Sequence, residues 1–248
     1  MKIDQELVEA NIRDFFGYGN PKAKWWFVGM EEHGGENIEE SKMRLKVWHE
    51  LGGQSLVDLS RFHKSACINV PHLNTPVNWR KACSAWKRQI HVLLAAEGSP
   101  CDDQHISEQF VDWGGKESNT CLIELKPLPC PNWRSWSWPQ WCHVEESKTK
   151  FLTRIQTDRC KRIMDMLNAS PAPRCVVFYS TSRTFLSFWE KIARCNFEPV
   201  VASGIYGKKT ADTVFVAIPQ RHKEGISYRL MTEVGSWIRE QLSKEAIG

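Results

Sequence analysis

The chain has no apolar run approaching the roughly 18 residues of a membrane span. Its opening, Met1-Lys2-Ile3-Asp4-Gln5-Glu6, is charged where a secretory signal would be apolar. A soluble, cytoplasmic protein is expected, with no membrane partner. No two of its nine cysteines (67, 83, 101, 121, 130, 142, 160, 175 and 195) are separated by only two residues. Zinc ribbons and iron–sulfur clusters use such close pairs to bring thiolates onto one ion. Scattered reduced thiols are therefore expected, with no metal and no cofactor. A strong charge of one sign is missing as well: 33 Lys+Arg against 29 Asp+Glu give a net +4, weak beside many DNA binders. There is no internal repeat, no low-complexity linker, no G-x-G-x-x-G, no nucleophile elbow and no His-Glu-x-x-His. Gly204-Ile205-Tyr206-Gly207-Lys208-Lys209-Thr210 has two residues between its glycines where a P-loop needs four, and reads as a basic hairpin tip.

Tryptophan, in contrast, is abundant, with twelve in 248 residues. Hydrophobic residues make up 42% and charged residues 25%, an ordinary globular balance. A single domain of this size, here taken as 1–248, buries roughly 70–75% of its unfolded surface and needs no staple. A Trp-rich, mildly basic chain hints at nucleic-acid contacts. Trp25, Trp26, Trp79, Trp86, Trp189 and Trp237 fall on core-like positions, whereas Trp133, Trp136, Trp138 and Trp141 cluster in a Pro-rich stretch where they either stack on bases or pack beneath a loop.

Helix-period segments alternate with short apolar runs. Helices are expected over 4–16, 38–51, from the N-cap candidate Asn78 onward, and over 146–168, 183–194 and 226–243. Strands are expected at 25–30, at 120–125 (ended by Pro127), at 175–179 and at 213–218. This alternation argues for a parallel sheet covered on both faces. Ligands of such folds sit beyond the carboxyl ends of the strands.

Three strand exits carry candidate chemistry. After the first comes Gly29-Met30-Glu31-Glu32-His33-Gly34-Gly35: two carboxylates, a histidine, and glycines that permit close backbone approach to a ligand. An acidic, solvated turn is the alternative. The second exit holds Glu124, a glutamate inside an apolar strand. Burying it unpaired is expensive, so it either meets a structural cation or faces a site. The last exit, Ile218-Pro219-Gln220-Arg221-His222-Lys223-Glu224-Gly225, is a solvated connection or a set of phosphate and base contacts.

Together these exits resemble the uracil-DNA glycosylase superfamily. Gly19-Asn20-Pro21-Lys22-Ala23-Lys24 is similar to its approach to the first strand, and Gly29-Met30-Glu31 to the Gly-Met-Asn of its single-strand-selective branch. Glu124-Leu125-Lys126-Pro127-Leu128 resembles that branch's Asn-Leu-Cys-Pro-Leu, and Ile218-Pro219-Gln220-Arg221 stands where the family has His-Pro-Ser and an intercalating residue. The resemblance implies a three-layer α/β/α sandwich around a short, mostly parallel four-stranded sheet, and a monomeric, monofunctional hydrolase acting on DNA. It implies Glu31 as the group that handles the attacking water, and Glu124 as the reader of the base edge with Glu32 and His33 beside it. Gln220, Arg221, His222 and Lys223 would contact the strand, with Arg221 or His222 filling the vacated stack, and Pro129 would lie in the backbone-pinching loop. The cysteines of the family's iron–sulfur branches are absent, and no motif places a lysine for a Schiff base, so hydrolysis to an abasic site is expected rather than strand cleavage.

Glu124 stands where the family has Asn. An ionised carboxylate only accepts hydrogen bonds, and so repels uracil O4 while accepting from cytosine N4; a protonated one donates to cytosine N3. Normal cytosine must be spared, so a modified cytosine, such as a hypermodified phage base, is the expected substrate. Excision of uracil or another deaminated base, and a non-catalytic nucleic-acid binder of the same fold, are the alternatives.

Overall fold

The computed structural model describes residues 2–68, 80, 84–132, 134–169, 171–201, 204–219 and 227–244. The four expected strands are present as β2 (Trp25–His33), β4 (Thr120–Cys130), β5 (Cys175–Tyr179) and β8 (Val214–Ile218). They lie side by side and parallel, in the order β4-β2-β5-β8. Their residues alternate between two apolar cores. Trp25, Phe27, Val177 and Val216 face one side, while Trp26, Val28, Val176 and Phe215 face the other. Both faces are buried, so these segments read as continuous apolar runs.

The sheet is wider and more mixed than the expected four parallel strands. Among the described residues it has eight, in the order β3-β1-β4-β2-β5-β8-β7-β6. The added edge strands are β1 (Gly17–Gly19), β3 (Leu56–Val57), β6 (Glu198–Pro199) and β7 (Tyr206–Lys209). β1 runs antiparallel to β4, and β7 antiparallel to β8. Each is two to four residues long, too short to show a period. The Gly204–Thr210 segment is therefore mostly a hairpin arm, closed by the Thr210 N–H donating to the Thr213 carbonyl at 2.9 Å.

The helices fall on the two faces. Against the first core pack α2 (Ile38–Glu50), α3 (Leu59–Ser65), α4 (Ser84–Glu97), α5 (Asp103–Val111) and α9 (Tyr228–Ser243). Against the second pack α7 (Lys148–Asn168) and α8 (Arg183–Ala193). A third, smaller core joins α1 (Gln5–Asp14) and the short α6 (Trp138–Trp141) to the end of β4 and the start of α7. The expected start of α4, from Asn78 through Cys83, lies outside the described residues apart from Arg80. Of the Pro-rich Trp cluster, Trp138 is fully buried and donates to the Pro129 carbonyl at 3.0 Å, and Trp136 donates to the Glu145 carbonyl at 2.7 Å. These rings brace the segment from beneath. Trp133 lies outside the described residues.

β4 does not stop at Pro127 but runs on to Cys130. Pairing with β1 ends at Ile123, so beyond that point β4 is an edge on that side, where a proline's missing N–H costs no ladder bond. The β2–β4 register also shifts between Glu31 and His33, loosening the ladder where the prolines lie. Arg159 of α7, 1% exposed, takes over where β1 leaves off. It donates to the carbonyls of Glu124 (2.6 Å), Leu125 (3.1 Å), Phe15 (2.7 Å) and Ile12 (3.2 Å) and lies over the Phe16 ring. Burial pulls its guanidinium down to about 9. Four carbonyl acceptors stand in for the missing counter-ion, and the backbone of Glu124 is pinned by them.

Candidate active site

Glu124 occupies the same face of β4 as Leu122, two positions nearer the carboxyl end, directly opposite Gly29 of β2. A Cβ at Gly29 would sit 2.3 Å from Glu124 Oε2, so glycine makes room for this carboxyl. Oε2 is buried, and neither carboxyl oxygen makes a hydrogen bond with any described residue, although the residue as a whole keeps partial exposure. Of the two possibilities left by the sequence, a structural cation is not found among the described residues. Burial first, then the nearby charges of Glu32 and Glu31, push the Glu124 carboxyl up to about 8, against smaller opposing effects of Lys126 and Arg159. It is mostly protonated at neutral pH.

This shift ties stability to pH. The group's unfolded value is 4.5 and its folded value about 8, so its contribution is intact below pH 4.5 and is lost as pH rises to about 8. Glu124→Gln removes that loss. The melting temperature of the variant relative to wild type should climb between about pH 5 and pH 8, by an amount worth about 2 kcal/mol after allowance for partial exposure, or roughly 4–8 °C. Thermal melts across that range check it. A Gly29→Ala substitution should displace the Glu124 carboxyl while its flexible end absorbs the methyl and the fold persists, so the melting temperature should change little and thermal melts check it.

Glu31 and Glu32, adjacent at the end of β2, engage different partners. Glu31 Oε2 accepts from the ammonium groups of Lys126 (2.7 Å) and Lys148 (3.0 Å), with side chains 11%, 9% and 14% exposed. Oε1 takes no hydrogen bond from any described residue. Lys148 also donates to the Asn132 carbonyl at 2.9 Å, tying down the chain after β4. A cation in the first turn of a helix opposes the macrodipole. Lys148 occupies that position in α7, and its two acceptors, Glu31 and Asn132, offset the penalty. Glu31 pairs across the sheet with Lys126, as Gly29 does with Glu124. From strand spacing and rise, the Cα atoms of Glu31 and Glu124 lie roughly 8 Å apart.

Glu32 is buried in a network of its own. The Tyr18 hydroxyl and Arg44 Nη1 (2.9 Å) both donate to its Oε1. Burial, and next the charge of Glu32, hold the Tyr18 phenol well above its ordinary value, so Tyr18 is the donor. Burial likewise raises Glu32, against the pull of Arg44 and Tyr18. Arg44 Nε also bonds Glu40 at 2.8 Å, and Glu40 in turn accepts from the N–H groups of Gly35 (3.1 Å) and Glu36 (2.9 Å). A Cβ at Gly34 would meet Arg44 Nη2 at 2.2 Å, and Gly34 has φ +128°. Gly34 thus admits a neighbouring arginine, while Gly35 lies against the Pro129 carbonyl and Ser41. The cavity beside this network is about 10 Å³, room for one water and not a base.

The other expected site residues separate. His33 is exposed at the end of β2, and its side chain makes no hydrogen bond with a described residue. Pro129, expected in a DNA-pinching loop, is buried within β4 with its carbonyl held by Trp138. Gln220, Arg221, His222 and Lys223 lie outside the described residues. Lys148, Lys126, Tyr18, Arg44 and Arg159 had no role assigned from sequence. Only Lys148 left a signal, as a lysine directly after the N-cap Ser147. Among the described residues, no three His, Cys, Asp or Glu side chains gather as a metal site, and no helix is long and apolar enough to cross a membrane. The sequence matches no protein-family model, and no curated protein is significantly similar to it.

Proposed function

We propose that the protein is a DNA glycosylase that takes a modified cytosine out of the base stack and hydrolyses its N-glycosidic bond, leaving an abasic site. The observation that supports this most is the pair of carboxyls at the ends of β2 and β4. Among the described residues Glu124 has no hydrogen-bond partner, and burial pushes it up to about 8, while Glu31 is shared by two ammonium groups and its Oε1 takes no hydrogen bond from a described residue. A buried carboxyl raised by its surroundings, beside one ion-paired to two ammonium groups, can divide the work of breaking a glycosidic bond between an acid and a carboxylate. The separation of roughly 8 Å lets one meet the base edge while the other faces C1′.

Flipping costs a few kcal/mol, offset by contacts in the site. Glu124 donates its proton to cytosine N3 and accepts from the exocyclic amine. As the C1′–N1 bond breaks, its electron pair goes to the base and the proton passes from Glu124 to N3, so the base leaves neutral. Uracil carries a hydrogen on N3 and offers no lone pair there. Acid catalysis from Glu124 therefore favours an amino base. Glu31 stabilises the oxocarbenium-like sugar, and its Oε1 holds the water that adds to C1′ and takes the proton that water loses. Arg159 pins the Glu124 backbone, and the Tyr18–Glu32–Arg44 network anchors the turn after Glu31; these are positioning residues.

A duplex panel carrying cytosine, uracil and several C5-substituted cytosines tests the reading, with alkali-dependent cleavage reporting abasic sites. Cleavage at a substituted cytosine is expected. Robust cleavage at uracil, with the substituted cytosines untouched, would overturn it.

A further inference from the structure

We propose that Lys126 captures the abasic product as an imine, which makes the protein a strand-nicking lyase as well as a glycosylase. This rests on the proposed reading of Glu31 and Glu124, because it concerns the product of that reaction. No sequence motif marks a lysine here; the fold brings two, Lys126 from β4 and Lys148 from α7, onto the same oxygen of Glu31 at 2.7 and 3.0 Å. Lys148 is held by a second acceptor, the Asn132 carbonyl, whereas Glu31 is the hydrogen-bond acceptor of Lys126. Two ammonium groups on one carboxylate give the triad a formal charge of +1. A nearly buried amine beside a second cation is a setting in which lysine serves as a nucleophile toward carbonyls. The carboxylate that holds this amine is the one that faces C1′ in the proposed reaction.

Excision leaves a sugar whose ring-opened form has an aldehyde at C1′. The Lys126 amine adds to that carbon, and the carbonyl oxygen leaves as water, forming a protonated imine. The imine acidifies C2′–H. Loss of that proton sends its electron pair toward C2′–C3′ as the C3′–O bond breaks, and the 3′ phosphate departs. Water then hydrolyses the imine and frees the lysine. No oxidant or reductant is needed.

The full chain is incubated with a duplex carrying a preformed abasic site, with borohydride added to reduce any imine to a stable amine, and the adduct is located by peptide mass mapping. Wild type should give an adduct on Lys126. Lys126→Arg, which keeps the charge and a donor to Glu31, should lose at least tenfold of it without a change of several degrees in melting temperature. Lys148→Gln, which removes the second cation beside this amine, should lower the adduct but leave it on Lys126. No adduct, or adducts spread over exposed lysines and unchanged in Lys126→Arg, would overturn the proposal. The abasic site is preformed, so failure here with release of a modified base in a separate assay leaves the glycosylase reading standing. An adduct without base release in any substrate leaves only the lysine chemistry.

Discussion

Replacing Glu31 by Gln should lower base release by about 10³-fold or more while DNA binding persists. The amide keeps the shape but carries no negative charge, so the developing positive charge at C1′ loses its counter-charge and the attacking water its acceptor; loss of one preorganised electrostatic partner in a water-excluded site costs on this scale. The change also raises the local formal charge by one, because it removes the carboxylate that Lys126 and Lys148 share. DNA affinity should therefore hold or increase, and fall more steeply with salt. Two cations left without their carboxylate will cost stability, up to about 3–5 kcal/mol for a buried group, so Glu31→Asp serves as the companion: it preserves the charge, retracts it by one methylene and should retain part of the activity. Single-turnover release and a binding titration, run on the same preparation, separate these outcomes. Turnover close to wild type in Glu31→Gln would remove Glu31 from the chemistry.

Replacing Glu124 by Gln should lower release of the modified cytosine by about 10²–10⁴-fold, the usual worth of a positioned general acid. The amide can donate to N3 but cannot give up a proton as the bond breaks. The pH profile gives the sharper test. Wild-type activity should fall as pH rises through about 8, where Glu124 loses its proton; the acid form is the working form, so the limb lies on the alkaline side. In the variant that limb should vanish. Uracil release should rise relative to modified cytosine, since an amide donates to O4 and accepts from N3–H. An unchanged rate with the alkaline limb intact would show that Glu124 is only a buried acid.

The four central strands were legible because both their faces are buried, which leaves uninterrupted apolar runs such as Cys175–Tyr179. The edge strands were not, because β1 and β3 are held by neighbours in space and carry no period of their own. Pro127 misled for a related reason: a proline ends a central strand but not one whose neighbour has already stopped at Ile123. Within the site, Glu124 was legible from the cost of burying a carboxyl in an apolar strand, and no described residue hydrogen-bonds it. The pairing of Glu31 with Lys148 spans 117 positions, and that of Glu32 with Arg44 requires a helix to fold back over β2, so neither could be read from local spacing. Glu31 and Glu32 looked equivalent as neighbours in sequence; their hydrogen-bond partners separate them.

The most direct test of the account is the identity of what is released. Genomic DNAs carrying cytosine, uracil, 5-hydroxymethylcytosine or bulkier C5-substituted cytosines are digested with the purified protein, and the small-molecule fraction is analysed by mass. A free modified cytosine is expected, with strand breaks and alkali-labile sites in the DNA together equal to it in number, and neither from the Glu31→Gln variant. Tight binding of the same DNAs with no free base and no alkali-labile sites would contradict it, and would mark the chain as a binder that keeps the two carboxyls without the reaction.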